Sequence, residues 1–254
     1  MEDDSILGPD EAVYDFDEDD ASVELSEDVN YAIRLVNVSR TYNLGKTQIS
    51  AVENVSLEVK PGEFIVVSGP SGSGKTTLLN LIGAIDYATS GRIFVMDVPI
   101  GDYDETFRAT FRLNNTGFIF QSYNLVSTLT ALENVMFPMQ LTEEPIAELQ
   151  KEAKSLLKTV ELADRLDHLP WQLSSGEQQR VAVARAMAND PPIILADEPT
   201  ANLDLESAKM IRELLSGLHA AGRTLVVMTH DEKIMNLQGV RYLKMSKGVF
   251  VEDE

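Results

Sequence analysis

The chain has 254 residues, enough for one large domain or two small ones around a substantial core, and its composition is that of a globular protein. A formal charge of -20 with no cysteine argues against free nucleic acid as a ligand and excludes a disulfide framework or a thiolate metal site. No apolar run approaches the roughly 20 residues that span a bilayer. Residues 1–30 hold 13 acids and no lysine or arginine, which leaves 28 acids against 21 bases in residues 31–254. An acidic stretch with few large apolar side chains does not bury enough surface to offset chain entropy, so residues 1–30 are expected to be a disordered, solvated tail. The opening residues also lack the basic-then-apolar pattern of a signal peptide.

From Tyr31 to Val59 the alternation in YAIRLVNVSRTY and ISAVENVSLEV, with a turn at Asn43 to Lys46, predicts two or three antiparallel strands. Pro61 and Gly62 punctuate before the run FIVVSGPSGSGKTTLLNLIG, Phe64 to Gly83, which reads as strand, loop and helix. TSGRIFVMDVPI reads as another strand or a hairpin, Tyr103 to Leu113 as a short helix, and TGFIFQ as a strand ending at Gln121. Between Thr130 and Trp171 the pattern turns helical through ALENVMFPMQL, the amphipathic run Pro145 to Val160, and ELADRLDHL. Beyond it, QQRVAVARAMAND is a helix, PPIILAD a buried strand, LESAKMIRELLSGLHAAG a helix stopped by glycine, and TLVVMTH a second buried strand. Two helix-to-strand repeats with continuously apolar strands imply an α/β fold with a parallel sheet covered on both faces.

The chemistry begins at Gly69, Gly74, Lys75 and Thr76, which fit the G-x-x-x-x-G-K-[ST] phosphate-binding pattern in its required strand-and-helix context. Gly69, Gly72 and Gly74 let the backbone aim successive N–H groups into a nest around a β-phosphate, and the helix beginning near Gly74 adds its positive end. The whole stretch Gly69, Pro70, Ser71, Gly72, Ser73, Gly74, Lys75, Thr76 and Thr77 is therefore expected to bind a nucleoside triphosphate, with Lys75 on the β- and γ-oxygens and Thr76 on magnesium. The motif does not separate ATP from GTP. IILADE then delivers two acids at the end of an apolar strand: Asp197 to hold magnesium, and Glu198 to polarise a water in line with the γ-phosphate. His230 ends TLVVMTH at the same edge and is expected to contact the γ-phosphate, while Gln121 bridges magnesium and water; His168 and His219 read as packing or surface residues.

LSSGEQQR, Leu173 to Arg180, opens a helix upstream of Asp197. Here the sequence resembles the ATP-binding cassette family, whose signature L-S-G-G-x is matched by Leu173, Ser174, Gly176 and Glu177, with Ser175 in place of the first glycine. The resemblance covers Tyr31 to about Val251 and includes, in order, Tyr42, GPSGSGKT, Gln121, LSSGE, ILADE, the ANLD run at Ala201 to Asp204, and His230. It implies a P-loop NTPase core of ABC type with a mainly parallel sheet, an antiparallel β subdomain and a helical subdomain at about residues 122–176, within a nucleotide-binding domain spanning residues 31–254. It also implies ATP and Mg2+ as ligands, Tyr42 stacking on adenine, and a homodimer in which Ser174 and Gly176 reach the opposing subunit's ATP. NLIGAIDYATSG, GFIFQSYNLVSTLTALENVMFPM and ADEPTANLD look like the ATPase subunits of the lipoprotein-releasing and macrolide-export branch. That likeness implies an ATPase driving a separate permease from the cytoplasmic face of the membrane, touching the bilayer only through that partner. Two departures stand out: Ser175, which places a side chain where the family's backbone approaches phosphate, and Ala201, where the branch usually has glycine.

The competing reading is a soluble ABC ATPase working on ribosomes or DNA. Repair-type members carry a long coiled coil before the signature, and translation-type members usually carry two cassettes. The insert here is far shorter than such a coiled coil, and there is one cassette. A GTP-binding switch would need an N-K-x-D run, which the chain lacks.

Overall fold

The computed structural model describes residues 30–45, 47–142 and 144–251, so the expected disorder of the acidic tail falls, apart from Asn30, outside the described residues. The alternating N-terminal segment forms β1 (Ile33–Leu44) and β2 (Thr47–Val59), and the phosphate-binding run forms β3 (Phe64–Ser68) and α1 (Lys75–Ile82). The hairpin β4 (Ser90–Val95) and β5 (Val98–Pro99), then α2 (Glu105–Asn115) and β6 (Thr116–Ile119), lead into α3 (Ala131–Met139) and α4 (Ile146–Thr159). The last third runs α5 (Ser175–Ala186), β7 (Ile193–Asp197), α6 (Leu205–Ala220), β8 (Thr224–Met228), α7 (Glu232–Met235), β9 (Val240–Ser246) and β10 (Val249–Val251).

The strands make two sheets. One is antiparallel, in the order β2-β1-β4-β5; the other runs β10-β9-β3-β8-β7-β6 and is parallel throughout except for the closing β9–β10 hairpin. Every residue of β3 and of β8 is buried, and the period-two alternation of side chains explains why. Phe64 and Val66 pack into one core with Val183, Ile211 and Leu215 from α5 and α6. Ile65 and Val67 pack into a second core with Leu78 and Leu81 of α1 and with Ile33 and Val59 of the antiparallel sheet. At about 1.5–3 kcal/mol for each fully buried aliphatic or aromatic side chain, these two cores fix the central strand between its layers.

Three features differ from the sequence reading. The strand expected to end at Gln121 stops at Ile119, so Gln121 lies in the following turn. ELADRLDHL is not a continuation of the helical run: it contributes only a 3-10 turn at Ala163–Arg165. The cause is a Schellman stop on α4, in which Leu162 N–H donates to Leu157 O (2.8 Å) and Glu161 N–H to Lys158 O (3.0 Å) while Glu161 takes a left-handed φ of 58°. Leu162 is buried as the hydrophobic contact of that motif. The terminal hairpin was not anticipated, because β9 alternates around Arg241 and Lys244 and only Met245 in it is fully buried, a weak apolar signal.

Candidate functional site

Four neighbouring parallel strands, β3, β8, β7 and β6, end at one edge of the large sheet. Whatever follows them in sequence is thereby gathered: the glycine loop after β3, His230 after β8, Glu198 after β7 and Gln121 after β6. With about 4.8 Å between strands, residues far apart in the chain, such as Thr76 and Asp197 at 121 positions, meet along an edge of roughly 15 Å. The loop itself is held by backbone packing. A Cβ on Gly69 would lie 2.0 Å from Met245 O of β9, and one on Gly74 would lie 2.1 Å from Ala51 O of β2, so both positions tolerate only hydrogen at Cα. Gly74 is the N-cap of α1 with φ 104°, and no side chain caps the helix. The first-turn amides are accordingly left for an external acceptor.

Lys75 is buried inside the loop, where its Nζ donates to Gly69 O (2.7 Å) and Pro70 O (3.2 Å). Ser73 Oγ is also buried and has no hydrogen-bond partner, an orphan that an anion's oxygens would satisfy. Pro70, Ser71, Gly72 and Thr76 are exposed, and Thr77 and Gly74 half-buried, along the open side of the loop. Thr76 Oγ1 donates to Asp197 Oδ2 at 2.7 Å. Burial raises the Asp197 pKa above its ordinary value, assisted by the Glu198 charge and opposed by the Thr76 hydrogen bond and the Lys75 ammonium. A hydroxyl and one carboxylate, with phosphate oxygens completing the set, are the hard-oxygen ligands that suit Mg2+, and among the described residues no larger acid or histidine cluster offers an alternative.

Glu198 sits one residue past β7 in a left-handed conformation, φ 45°, with its N–H donating to Met228 O at 2.7 Å. That backbone turn directs its carboxylate to His230, whose Nδ1 is 2.9 Å and whose N–H is 3.3 Å from Glu198 Oε2. The loop beyond is pinned by Asp231, which accepts from Thr200 Oγ1 and Arg212 Nη1, both at 2.9 Å. Gln121 is exposed in its turn, and the segment after it is held by Arg185, which donates to Tyr123 O (2.7 Å) and Asn124 O (2.6 Å). The fully buried Asn134 closes that segment further, accepting from Val126 N–H and donating to Val126 O, Leu129 O and Thr130 O. Sequence reasoning missed Asp231, Arg185 and Asn134, since their partners lie in other elements or in backbone that no motif marks.

The remaining predicted residues are not in this cluster. Tyr42 lies near the tip of the β1–β2 hairpin, opposite Ile49 and two residues along β2 from Ala51, whose carbonyl abuts Gly74. Ser174 caps α5: its Oγ accepts from Glu177 N–H (3.2 Å) and its N–H donates to Glu177 Oε2 (2.8 Å). Gly176 is buried where a Cβ would lie 2.1 Å from Ser207 Oγ of α6, so its own chain already demands a glycine there. His219 is a packing residue, edge-on to Phe64 with Nε2 3.1 Å from Gly62 O.

A family model for the ABC transporter matches residues 52–201, more than half the chain, across the loop and both acids. The chain belongs to the ABC transporter family. This cassette is 44% identical over 220 residues to an uncharacterized ABC transporter ATP-binding protein of Methanocaldococcus jannaschii, covering 87% of the present chain and 98% of that one. It is 42% identical over 221 residues to the macrolide export ATP-binding/permease protein MacB of Hyphomonas neptunium, which covers 87% of the cassette but 34% of MacB. Among solved structures it resembles the dimeric post-hydrolysis state of an ATP-binding cassette bound to ADP and Pi, with TM-score 0.82, 42% identity, and 87% and 97% of the two chains covered. The cassette is thus an ATP-binding, ATP-hydrolysing subunit with the P-loop fold of its family.

Proposed function

We propose that two copies of this cassette close over two ATP molecules and thereby move a separate permease of the macrolide-export or lipoprotein-release type, with the cassette peripheral on the cytoplasmic face of the membrane. One observation carries the reading: the phosphate loop, Asp197, Glu198, His230 and Gln121 lie at or just beyond the ends of strands that finish side by side. In this reading Lys75 and the loop amides of Gly69 to Thr77 hold the β- and γ-phosphates, and Tyr42 stacks on adenine. Thr76 and Asp197, with Gln121, would hold Mg2+, whose charge would offset the negative charge that develops on the phosphate groups. Glu198 takes a proton from the attacking water, and His230, hydrogen-bonded to it, orients that carboxylate. Ser174 and Gly176 donate to the γ-phosphate held by the opposite copy, a reading supported by the dimeric ADP- and Pi-bound relative.

The permease is supported by the MacB relatives, whose name joins ATP-binding to permease. Among the described residues no helix is long and apolar enough to cross a membrane. The surface we assign to the permease is the helical subdomain, residues 122–176, together with an open cavity of about 250 Å³ lined by Phe118, Phe120, Phe137 and Pro138. Because Arg185 and Asn134 tie the segment after Gln121 to α5 and α3, a shift at the nucleotide edge would be delivered to that surface through hydrogen bonds rather than through a slack loop. Replacing Glu198 by Gln should keep ATP binding, lower turnover by at least about 100-fold, and accumulate an ATP-bound dimer on size-exclusion chromatography. Unchanged hydrolysis would remove the base assignment, and a persistent monomer at saturating ATP and magnesium would remove the sandwich.

A further inference from the structure

Tyr42 stands beyond register shifts at Val38/Arg40 and Arg40/Thr41, in a stretch where β1 still pairs with β2 but no longer with β4. A hairpin tip of this kind takes its position from whatever it touches, and Tyr42 touches a built cluster. Its hydroxyl donates to Asp86 Oδ2 at 2.6 Å. Arg40, two residues earlier on the same face, grips the same carboxylate as a fork, Nη2 to Oδ1 at 2.7 Å and Nε to Oδ2 at 3.0 Å. The Arg40 guanidinium also lies 4.5 Å over the Tyr42 ring, which leaves the opposite ring face as the stacking surface.

Asp86 is in turn immobilised. Tyr87 N–H donates to its Oδ1 at 2.7 Å, and the buried Arg108 donates to its carbonyl at 2.5 Å. Thr89 adds two stitches between this loop and β1, accepting from Thr41 N–H at 3.0 Å and donating its own N–H to Ser39 O at 2.8 Å. Burial acts to raise the Asp86 pKa, but the hydrogen bonds from Tyr42 and Tyr87 and the charge of Arg40 outweigh it and hold the carboxyl below its ordinary value. Arg40 and Asp86 are 23% and 20% exposed, enough shielding for the pair to stay formed at ordinary salt. The loop carrying Asp86 starts at the C-terminal end of α1, the helix whose first turn closes the phosphate loop. One rigid helix of about 12 Å therefore separates the triphosphate grip from the tether of Tyr42.

We propose that Asp86 and Arg40 are positioning residues that hold Tyr42 as a preformed platform for the nucleotide base, and so set the cassette's preference for a nucleotide over a bare triphosphate chain. The inference rests on the reading of Tyr42 as the base-stacking residue. A free tyrosine would have to be ordered at each binding event, whereas the Asp86–Arg40 fork orders it beforehand. The alternative role for the same cluster, bolting the hairpin to the loop after α1, makes no distinction between ligands.

The test measures Kd by calorimetry for MgATP and for magnesium tripolyphosphate, which has the phosphates but no base, in the full chain and in Tyr42→Ala, Tyr42→Phe, Asp86→Ala and Arg40→Leu. The proposal expects ATP binding to weaken roughly three- to tenfold in Tyr42→Phe, Asp86→Ala and Arg40→Leu, the scale of ordering one side chain, with tripolyphosphate affinity unmoved. Tyr42→Phe removes one oxygen and keeps the ring, so it remains informative if Asp86→Ala does not fold. If Tyr42→Ala weakens ATP while Tyr42→Phe, Asp86→Ala and Arg40→Leu bind it as the wild type does, the positioning role is overturned and the platform itself stands. Equal weakening of ATP and tripolyphosphate overturns it in favour of the purely structural role. Wild-type ATP affinity in Tyr42→Ala overturns the platform and the tether together.

Discussion

Helix α1 begins after a serine- and glycine-rich loop and α5 begins with Ser175 and Gly176; both are read as facing a triphosphate, yet their first turns are built in opposite ways. Helix α1 has Gly74 at its N-cap, no side-chain cap and no acid in its first turn. Helix α5 has a complete capping box: Ser174 and Glu177 satisfy one another's backbone donors, and Arg165 Nε sits 3.0 Å from Glu177 Oε1. The difference separates two ways of meeting an anion. An uncapped start offers all its free amides, which suits a site that must enclose a phosphate from several sides. A capped start is already stable by itself and offers less: the Ser174 hydroxyl proton, still free to donate while its oxygen accepts from Glu177, and the amides of the first two helical residues. In the proposed sandwich the first helix grips the nucleotide within one subunit, and the second touches only its outer phosphate from the other.

The largest effect should come from filling the uncapped start. Gly74→Ala places a Cβ 2.1 Å from Ala51 O at a φ of 104°. We expect a loss of about 1–3 kcal/mol in stability and of most nucleotide affinity, followed by urea unfolding and calorimetry. ATP affinity like that of the wild type would break the distinction between the two starts. Ser174→Ala should act differently, costing about 1 kcal/mol of stability through the lost cap while leaving ATP affinity of the separate subunit unchanged. Its ATPase rate and ATP-driven dimerisation should fall, and weakened ATP binding by a single subunit would contradict the assignment of α5 to the opposite copy.

The smallest effect belongs to Glu177→Gln, which keeps an acceptor for Ser174 N–H but gives up the charge facing Arg165. The Glu177 pKa is lowered by the Ser174 N–H bond first, with the Arg165 hydrogen bond and charge adding to it against an opposing desolvation. A lowered folded pKa contributes stability that is present above the unfolded value near 4.5 and is lost as pH falls through the folded value. The variant should therefore be less stable by under about 1 kcal/mol at pH 7 and show a flatter loss of stability below pH 4.5, read from urea midpoints across an acid series. An acid limb as steep as that of the wild type would show that Glu177 does not carry the charge difference between the two helix starts.

Sequence alone determined the parts of this cassette whose cause is local. Continuous apolar runs such as FIVV and IILA announce strands buried on two faces, Gly222 at φ 86° stops α6 as a glycine should, and the loop from Gly69 to Thr77 declares its phosphate chemistry through residue types that little else requires. The acids, the glutamine and the histidine that share its edge were read one by one as lying at strand ends, and the structure puts Gln121 and His230 two residues beyond theirs. What only the tertiary structure decided is everything that depends on two distant segments meeting. The strand order brings Thr76 to Asp197 and Glu198 to His230, and the approach of β2 and β9 makes Gly74 and Gly69 obligatory. Likewise, a carboxylate 44 positions from Tyr42 fixes where its ring stands, and a buried asparagine holds the turn after Gln121. Periodicity and motif spacing report on neighbours along the chain, whereas hydrogen bonds and steric contacts are set by neighbours in space, and the two coincide only within a turn or a strand.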